Sequence, residues 1–540
     1  MTAVYPVTII WVNRVPQNNV LKRTISVKIY NRNIEMINRN IFSGLFRFAF
    51  ILTVLNVFVL PSYASTQPYI ASYGVNFATG NKVHTETDIS ISGPVDSFSF
   101  VRTYNSQSTE ESVLGYGWSW SFGEYLLLAP DDESRIVRVL SSGRHIAHTR
   151  SGESTWTNLT GRKTTITLET SGEYTLAKMH GTVHTYNAQR KLTQIQEPGG
   201  YTRTFTYSGD QLQSVSDSFG RSFSFAYNST TGYLETLTTP VGDFTYTYLN
   251  SNLVRMDRPY GSFREYRYED SNDPHNLTSV IDEMGVEVMS VVYDSSDRVE
   301  NAYQANGSEE ITILYNGMER TVTDALNNST VYQLGVKHGV AHIDSFTGAG
   351  CAVCGGSGDS GSATYTDRNQ PDELTDGRNN VTKYGYDGAG NRTTVTGAKD
   401  SPVERTVTTT YYPDTDRVHT VTRDSVANPG MSTVTTWTYD ANDNPDTKTE
   451  EGYKGTTPIT RTTDYDYDAL GRLQAVDGPR TDANDTLLYE YYPDSAAYGN
   501  NRGMLYKVTN TLDQVIEYQD YNGLRKAEKI IDPNGIETLL

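Results

Sequence analysis

Residues 384–392 read Tyr-Gly-Tyr-Asp-Gly-Ala-Gly-Asn-Arg, and residues 465–473 read Tyr-Asp-Tyr-Asp-Ala-Leu-Gly-Arg-Leu. In each stretch an aromatic-x-Tyr unit ends a strand-like segment, and a polar turn follows it. Asp, Asn and Gly tolerate left-handed backbone angles, and Asp and Asn side chains bond their own backbone, so these turns favour β-hairpins. Because the unit recurs along the chain, it predicts the fold.

The same pattern repeats from about residue 150 onward. A strand ends in a tyrosine, a polar turn follows, and an apolar residue resumes about five to nine positions later. The marking tyrosines of the first block are spaced by 20, 21, 20, 25 and 22 residues: Tyr207, Tyr227, Tyr248, Tyr268, Tyr293 and Tyr315. Those of the second block are spaced by 21 to 28 residues: Tyr365, Tyr386, Tyr412, Tyr439, Tyr467 and Tyr492.

This period is long enough for two strands of roughly six residues and two turns. Within residues 222–227, Ser-Phe-Ser-Phe-Ala-Tyr, the aromatic side chains share one face and the small residues share the other. One hairpin cannot bury its aromatic face, whereas stacked hairpins can. A long strip must also curl to protect its edges. The sequence therefore predicts an all-β fold of antiparallel hairpin repeats that form a curved strip or partial cocoon-like shell.

Composition supports this class and excludes one kind of partner. The chain has 540 residues, 39 of them tyrosine, a mean hydropathy of −0.52 and a net charge of −19. Residues 1–64 carry seven basic residues and one acidic residue, which leaves 38 basic and 63 acidic residues, a net −25, in the remainder. Such an acidic surface repels phosphate backbones, so we expect no nucleic-acid partner.

Residues 48–60 read Phe-Ala-Phe-Ile-Leu-Thr-Val-Leu-Asn-Val-Phe-Val-Leu, without a charge. A membrane-spanning helix needs roughly 20 apolar residues, whereas a signal peptide needs about 7–15. Basic residues precede the run, and Ser62 and Ala64 are the small residues that a signal peptidase requires. We predict cleavage after Ala64, secretion or cell-surface display, and no membrane span afterwards. Two alternatives are an uncleaved anchor at 41–60 and a buried core segment, and translation starting at Met36 would shorten the long basic leader.

The sequence divides into five segments. A signal peptide at 1–64 precedes a small β domain at 65–150, in which Ala-Thr-Gly-Asn (78–81), Arg-Thr-Tyr-Asn-Ser (102–106) and Leu-Gly-Tyr-Gly-Trp (114–118) stand out. The first repeat block covers 151–347, a glycine-rich insert covers 348–362, and the second block covers 363–540, ending within a repeat.

The copies at 386–392 and 467–473 resemble the YD repeat of bacterial Rhs proteins: Tyr-Asp, then a turn ending in Gly-Arg or Gly-Asn, then a resuming strand. Residues 75–120 are similar to the N-terminal domain that precedes those repeats. The resemblance implies a hollow β shell around a variable C-terminal toxin polypeptide used against neighbouring cells. It also implies partners for this chain, an enclosed toxin or a downstream shell segment. Some members of the family bind cell-surface carbohydrate instead.

Cys351 and Cys354 lie within the glycine-rich insert, and His338 and His342 precede them. An exported chain meets an oxidising environment, which favours a disulfide across this short loop. The four side chains are also weak candidates for a metal site, although their order and spacing are unusual for zinc. Free thiols are the third alternative, and the sequence leaves all three open.

No motif supports catalysis. Residues 358–361, Gly-Asp-Ser-Gly, lack the matching His motif of a serine protease and fit a flexible linker. Residues 440–451 mimic a calcium loop, but Pro445 occupies the position that needs glycine, so a repeat turn explains them better. We expect no catalytic residues and no cofactor. The leading hypothesis is an exported, non-enzymatic shell, and the alternative is a carbohydrate-binding or adhesion protein at the cell surface.

Overall fold

The computed structural model describes residues 69–70, 73–129, 132–158, 160–161, 163–178, 181–348, 360–413, 415–425, 428 and 430–540. The predicted signal peptide, the alternative anchor at 41–60, and Cys351 and Cys354 lie outside the described residues. Within the described part, no helix has the length and apolar character needed to cross a membrane.

The first strands form a small sheet of their own. It contains five strands in the order β1-β2-β3-β4-β7, and β5 and β6 pair separately. The bounds are β1 (Tyr69–Ile70), β2 (Val75–Asn76), β3 (Asn81–Ile91), β4 (Phe98–Asn105), β5 (Glu111–Ser112), β6 (Gly115–Tyr116) and β7 (Trp118–Trp120). This sheet ends at Trp120, and the strands after it belong to the long sheet.

All later strands pair with their neighbours in chain order, antiparallel throughout. The first half contains β8 (Tyr125–Ala129), β9 (Asp132–Val139), β10 (His145–Arg150), β11 (Thr155–Asn158), β12 (Thr165–Leu168), β13 (Tyr174–Ala177), β14 (Val183–Tyr186), β15 (Leu192–Gln196), β16 (Thr202–Ser208), β17 (Gln211–Asp217), β18 (Ser222–Tyr227), β19 (Leu234–Thr239), β20 (Gly242–Leu249), β21 (Asn252–Asp257), β22 (Phe263–Arg267), β23 (Ser279–Asp282), β24 (Glu287–Tyr293), β25 (Val299–Gln304), β26 (Ser308–Asn316), β27 (Glu319–Thr323), β28 (Ser329–Lys337) and β29 (Val340–Gly348).

The second half continues the sheet beyond the glycine-rich insert. It contains β30 (Ser360–Tyr365), β31 (Pro371–Thr375), β32 (Val381–Tyr386), β33 (Arg392–Gly397), β34 (Arg405–Tyr411), β35 (Val418–Asp424), β36 (Ser432–Tyr439), β37 (Pro445–Lys454), β38 (Thr457–Tyr467), β39 (Leu473–Asp477), β40 (Leu487–Tyr491), β41 (Leu505–Thr509), β42 (Val515–Tyr521), β43 (Ala527–Ile531) and β44 (Glu537–Leu539). Short 3-10 turns occur at Pro198–Gly200, Pro259–Gly261, Ala305–Gly307 and Ala496–Asn501.

The long sheet is open. β8 pairs with β9 and β44 pairs with β43, and no ladder among the described residues joins β8 to β44. The sheet nevertheless curls near its start, where an isolated bridge joins Tyr125 to Lys191. The prediction of an all-β fold of antiparallel hairpin repeats in a curved strip is confirmed.

The aromatic core lies between the small sheet and the first half of the long sheet. The ring centroids of Phe98 and Phe223 are 4.5 Å apart, and those of Trp120 and Phe225 are 5.2 Å apart. Phe98 is fully buried, as is Phe100 beside it. Because a single hairpin cannot bury its aromatic face, the small sheet supplies the second layer that these hairpins need.

Candidate functional site

The repeat turns share one hydrogen-bonded geometry. In the turn 468–472, Asp468 Oδ1 accepts hydrogen bonds from the backbone N–H groups of Leu470 and Arg472, both at 2.9 Å. Gly471 between them has a φ of +75°, in the left-handed region that glycine adopts without strain. The same pair of backbone bonds closes the turns at Asp217, Asp282, Asp294, Asp324, Asp376, Asp387, Asp440 and Asp532.

The repeat tyrosines form a ladder that joins each hairpin to the one before it. Tyr227 pairs across its hairpin with Leu234 at a β-bulge, and the hydroxyl of Tyr248, one repeat later, donates to the Leu234 carbonyl oxygen at 2.8 Å. Equivalent bonds of 2.6–3.0 Å are donated by Tyr227, Tyr268, Tyr293, Tyr315, Tyr365, Tyr386, Tyr411, Tyr439, Tyr491 and Tyr521. Burial raises the pKa of the Tyr227, Tyr268 and Tyr315 phenols, so these three stay protonated donors.

Two tyrosines predicted to mark repeats have another role. Tyr411 and Tyr491 make the ladder bonds, whereas their neighbours Tyr412 and Tyr492 donate to Trp437 and Tyr518 carbonyl oxygens at 3.1 and 3.2 Å. Successive side chains of a strand point to opposite faces, so only one of two adjacent tyrosines can join the ladder. The sequence assignment of Tyr412 and Tyr492 as repeat markers was therefore wrong by one residue.

A second ladder runs along the turns that follow the repeat tyrosines. The last residue of each turn reaches the next turn along the sheet: Asn391 Nδ2 donates to Asp416 Oδ1 at 2.8 Å, and Gln370 Nε2 donates to the Gly390 carbonyl oxygen at 2.8 Å. Asn276 Nδ2 bonds Asp297 Oδ1 at 2.5 Å in the same way. We call this edge of the sheet the tyrosine rim, and the edge formed by the other turns the opposite rim.

The two rims meet where the sheet winds past itself. On the opposite rim, the Lys163 N–H donates to the Ala389 carbonyl oxygen of the tyrosine rim at 2.8 Å, and the Gly199 N–H donates to Asn442 O at 2.9 Å. Further along, Arg525 Nη2 donates to the Phe219 carbonyl oxygen at 3.2 Å, across 306 residues of chain. The long sheet is thus a wound wall whose successive windings are hydrogen-bonded.

A buried ionic cluster fastens the small sheet to this wall. Arg102 is fully buried and bonds both oxygens of Asp88, at 2.7 and 2.8 Å. Tyr246 and Tyr266 reach in from the wall, donating to Asp88 at 2.8 Å and to Glu86 at 2.6 Å. Burial alone would raise the pKa of Glu86, but its hydrogen bond with His84 and the charge of Arg102 lower it to about 2.

A similar cluster holds the start of the wall. Glu124 bonds Arg138 through two contacts of 2.9 Å and accepts from His184 Nδ1 at 2.8 Å. The desolvation of Glu124 is outweighed by His184 and Arg138, and its pKa falls to about 2. Every oxygen of the carboxylate is engaged within the protein. The cluster therefore connects the start of the wall to β9 and β14.

The aromatic face of the wall is covered in its first half and is half-exposed in part of its second. The residue two positions before the repeat tyrosine is buried at Phe205, Phe225, Tyr246, Tyr266, Val291 and Ile313. At the equivalent position of the second half, Tyr384 and Trp437 are buried, whereas Thr409, Tyr465 and Tyr489 are only half-buried. Rings of the small sheet pack on β18 and on β22, as Phe98 does on Phe223 and Trp118 on Tyr266.

The structure places the predicted site residues as follows. All the predicted markers lie at, or one residue from, the end of a strand in a repeat hairpin: Tyr207, Tyr227, Tyr248, Tyr268, Tyr293, Tyr386, Tyr439 and Tyr467. His338 lies in a turn, where Nε2 is 2.8 Å from Asp367 O, and His342 lies in β29 beside Asp344. No group of three or more metal-ligating side chains occurs in the described part of the chain.

Sequence reasoning missed the ionic cluster around Arg102 and the ladder along the turn ends. The cluster joins Arg102 and Asp88 to residues about 160 positions away, and no local pattern carries that information. The turn ladder did have a signal, since the ion pairs Asp294–Arg298 and Asp468–Arg472 both have a spacing of four. That spacing identifies the turn itself, but it does not show which other turn lies next to it in the sheet.

Comparisons with known proteins begin with the small sheet. Residues 72–148 match the family model described as a domain of unknown function, DUF6531. The match covers the small sheet from β2 onward and the first strands of the wall. A search of curated protein sequences gives no match.

Solved structures resemble the chain over most of its length. In a crystal structure of TcdB2-TccC3 without its hypervariable C-terminal region, 90% of this chain aligns with 32% of the other at 12% identity and a TM-score of 0.40. TcdB2-TccC3-Cdc42 aligns with 84% of this chain and 31% of its own at 13% identity and 0.40. A Tc holotoxin pore from Photorhabdus luminescens aligns similarly, at 13% identity and 0.40. This chain spans about a third of those chains.

Proposed function

We propose that this protein is a structural wall that encloses a polypeptide on its aromatic face. The observation that carries the proposal is the half-exposed aromatic face at β38 and β40, in the second half of the wall. Tyr465 and Tyr489 there occupy the positions that bury Phe225 and Tyr246 under the small sheet. An extended polypeptide of mixed apolar and polar side chains would cover such a face as the small sheet covers the first half.

Hydrogen bonds hold the wall together at three levels, as a container for another polypeptide requires. Bonds within hairpins, the tyrosine ladder between hairpins and the contacts between windings tie it together in three directions. Removing unpaired edges in this way protects a β-sheet from pairing with other chains. The buried charges at Arg102 and Glu124 are paired within the protein, with Asp88 and Arg138 respectively.

The resemblance of residues 386–392 and 467–473 to the YD repeat supports a toxin polypeptide as the enclosed partner. The net charge of −25 over residues 65–540 disfavours nucleic acid as the content. Export through the apolar run at 48–60 and cleavage after Ala64 belong to the same proposal. Carbohydrate binding at the cell surface stays a prediction without an observation of its own.

Photo-crosslinking from the two faces of one strand tests the proposal. Thr409 lies on the aromatic face of β34, opposite Val421, and the adjacent Thr408 lies on the other face, opposite Thr422. A photoreactive benzoylphenylalanine replaces Thr409 in the producing cell, and the adducts are identified by mass spectrometry. We expect polypeptide adducts, because the enclosed chain lies against this face.

Thr408 is the matched control, since it shares the strand and a similar exposure. Polypeptide adducts that form from Thr409 and not from Thr408 are the expected result. Adducts with carbohydrate, adducts of equal yield from both positions, or none from Thr409 would each contradict enclosure.

A further inference from the structure

A cavity of about 440 Å³ lies between the small sheet and the first strands of the wall. Its inner lining is apolar and consists of five side chains that are each at most 7% exposed: Trp118, Trp120, Phe122, Leu126 and Leu212. The exposed residues of the lining mark its opening to solvent: Glu110, Glu111, Gln189 and Asp210. Apolar cavities of roughly 300–1,000 Å³ with a few polar groups are typical of sites that bind small ligands.

The tyrosine ladder is interrupted where it reaches this cavity. Tyr227 donates to the carbonyl oxygen of Leu212, which pairs with Tyr207 across the hairpin. Tyr207 lines the cavity and makes no hydrogen bond of its own with the residues that the structure describes. Burial raises the pKa of Tyr207 to about 12, so its hydroxyl stays protonated. The cavity therefore contains a hydrogen-bond donor that the described part of the protein does not use.

Arg190 supplies a positive charge to the same cavity. It lies in the turn between β14 and β15, where the Arg190 N–H donates to the Asn187 carbonyl oxygen at 2.7 Å. Its guanidinium makes no hydrogen bond or ion pair within the described part of the chain, although its Nε atom is buried. Burying part of a charged group without a partner costs free energy, and a bound anion would offset that cost.

The carboxylates that line the cavity are already bonded within the protein. Each of the four has a partner: Glu110 with Tyr125, Glu111 with Tyr233, Glu124 with Arg138, and Asp210 with Lys191. Lys191 follows Arg190 in the chain, and its ammonium lies 5.6 Å from the centroid of the Tyr207 ring. Arg190 and Tyr207 are therefore donors on neighbouring parts of the lining, and both suit an anion.

We propose that this cavity binds a small organic acid with an aromatic body of one or two rings. The carboxylate of the acid pairs with Arg190, whose guanidinium presents a planar fork of donors, and accepts a hydrogen bond from Tyr207. The rings of the acid lie against Trp120 and Phe122, since aromatic side chains pack well on other rings. This inference goes beyond the enclosure of a polypeptide and does not depend on it.

The position of the cavity gives the acid a structural effect. Trp118 and Trp120 belong to the small sheet, whereas Leu126 and Leu212 belong to the wall. An acid that contacts both parts binds the folded chain and not the unfolded one, so it stabilises the folded protein by mass action.

A cationic ligand is the competing occupant. Glu110 and Glu111 keep their charge, and aromatic rings attract cations. Both glutamates are exposed, however, so solvent screens them, whereas the Nε atom of Arg190 is buried and repels a cation. An organic acid therefore fits the cavity better than an amine.

Isothermal titration calorimetry of the full chain tests the proposal. The probes are benzoate, phenylacetate and indole-3-acetate, together with the amide of each acid, acetate and phenethylamine. The amides keep the rings without the charge, acetate keeps the charge without a ring, and phenethylamine reverses the charge. We expect saturable binding of at least one aromatic acid, and binding of its amide that is weaker by roughly tenfold or more, because hydrogen bonds to a charged group contribute about that factor. Acetate and phenethylamine should show no saturable binding.

Two variants locate the site. Arg190→Gln should weaken binding of the acid by roughly tenfold or more. Tyr207→Phe should weaken it several-fold and leave the melting temperature of the free protein unchanged, because no described residue accepts a hydrogen bond from that hydroxyl. Arg378→Gln is the matched control, since it removes the same charge from an exposed turn in the second half of the wall.

The outcomes decide between an acid site and a cavity without this role. Weaker binding in Arg190→Gln and Tyr207→Phe, with unchanged binding in Arg378→Gln, is the expected result. Failure of all three aromatic acids to bind, equally tight binding of an acid and its amide, or saturable binding of phenethylamine would each overturn the proposal. Equal loss of binding in Arg190→Gln and Arg378→Gln would overturn it as well.

Discussion

The hydroxyl of Tyr248 donates to the carbonyl oxygen of Leu234 at 2.8 Å, and Leu234 is the cross-strand partner of Tyr227 one repeat earlier. Tyr268, Tyr315 and Tyr386 likewise donate to the carbonyl of the residue that pairs with the preceding repeat tyrosine. A buried carbonyl without a partner costs free energy comparable to a lost hydrogen bond. This relationship explains why tyrosine, rather than phenylalanine, marks the repeats.

Replacing one ladder tyrosine tests that explanation. Tyr248→Phe keeps the ring and removes the donor to Leu234, so we expect a loss of about 0.5–1.5 kcal/mol in the free energy of unfolding. Denaturant titration followed by circular dichroism measures it. Tyr260→Phe is the matched control, because that side chain is 95% exposed and outside the ladder. Equal effects of the two substitutions would contradict a ladder role.

The left-handed turn position makes a prediction about residue type. Gly390 has a φ of +86°, and the equivalent residues Asn327 and Asn379 have φ near +62°. Gly390→Asn should therefore change the free energy of unfolding little, whereas Gly390→Val should cost roughly 1–2 kcal/mol because a β-branched residue is strained there. Thermal melting compares the two. A valine variant as stable as the asparagine variant would show that the turn is not held in this conformation.

The ionic cluster predicts strong coupling between the small sheet and the wall. Arg102→Met leaves Asp88 and Glu86 buried without their cation, and we expect a loss of about 3–5 kcal/mol. The double variant Arg102→Met, Asp88→Asn should recover part of that loss, since one uncompensated charge is gone. A double-mutant cycle by denaturant titration measures the coupling. Additive effects of the two substitutions would contradict a functional ion pair.

Lys82 makes the stability of the small sheet depend on pH. Its ammonium is buried and donates to the Tyr73 carbonyl oxygen, and burial lowers the pKa of Lys82 from 10.5 to about 7. Below pH 7 both the folded and the unfolded chain hold the proton, and the full cost of burying the charge is present. That cost declines as the pH rises from 7 to 10.5, because the folded chain releases the proton first.

Lys82→Met should therefore raise the melting temperature at pH 6–7, and the gain over the wild type should shrink towards pH 10. Lys178, whose burial lowers its pKa to about 8, titrates in the same window, so the difference between variant and wild type is the informative quantity. A gain that is independent of pH would show that packing, and not the charge, is responsible.

The sequence predicted the hairpins well because their determinants are local. Turn residues such as Asp387 and Gly390, and the alternation in residues 222–227, act over fewer than ten positions. The sequence predicted Tyr412 as a repeat marker, whereas its neighbour Tyr411 makes the ladder bond. Two adjacent tyrosines satisfy the repeat spacing almost equally, so the spacing could not distinguish them. The winding could not be predicted, because contacts such as Arg525 with Phe219 depend on the accumulated twist and curl of many strands.

The candidate site was predictable only in part for the same reason. The aromatic-x-Tyr pattern identifies which face of each hairpin is apolar, and it does so equally in both halves. It carries no information on which half the small sheet covers, so the half-exposed face at Tyr465 and Tyr489 emerges only from the assembled fold.

A disulfide trap between windings tests the central claim, that the sheet winds past itself and docks rim on rim. Lys163→Cys and Ala389→Cys are combined in a chain carrying Cys351→Ser and Cys354→Ser. A backbone hydrogen bond joins the two positions at 2.8 Å, which suits the roughly 4.4–6.8 Å between Cα atoms that a disulfide needs. The matched control replaces Ala389→Cys with Thr410→Cys, one repeat further along.

Mild oxidation followed by non-reducing electrophoresis gives the answer in one measurement. Rapid, intramolecular closure of the 163–389 pair, with little closure of the 163–410 pair, is the result that a wound wall predicts. Failure of the 163–389 pair to close, or equal closure of both pairs, would show that the hairpins form a strip without docked windings.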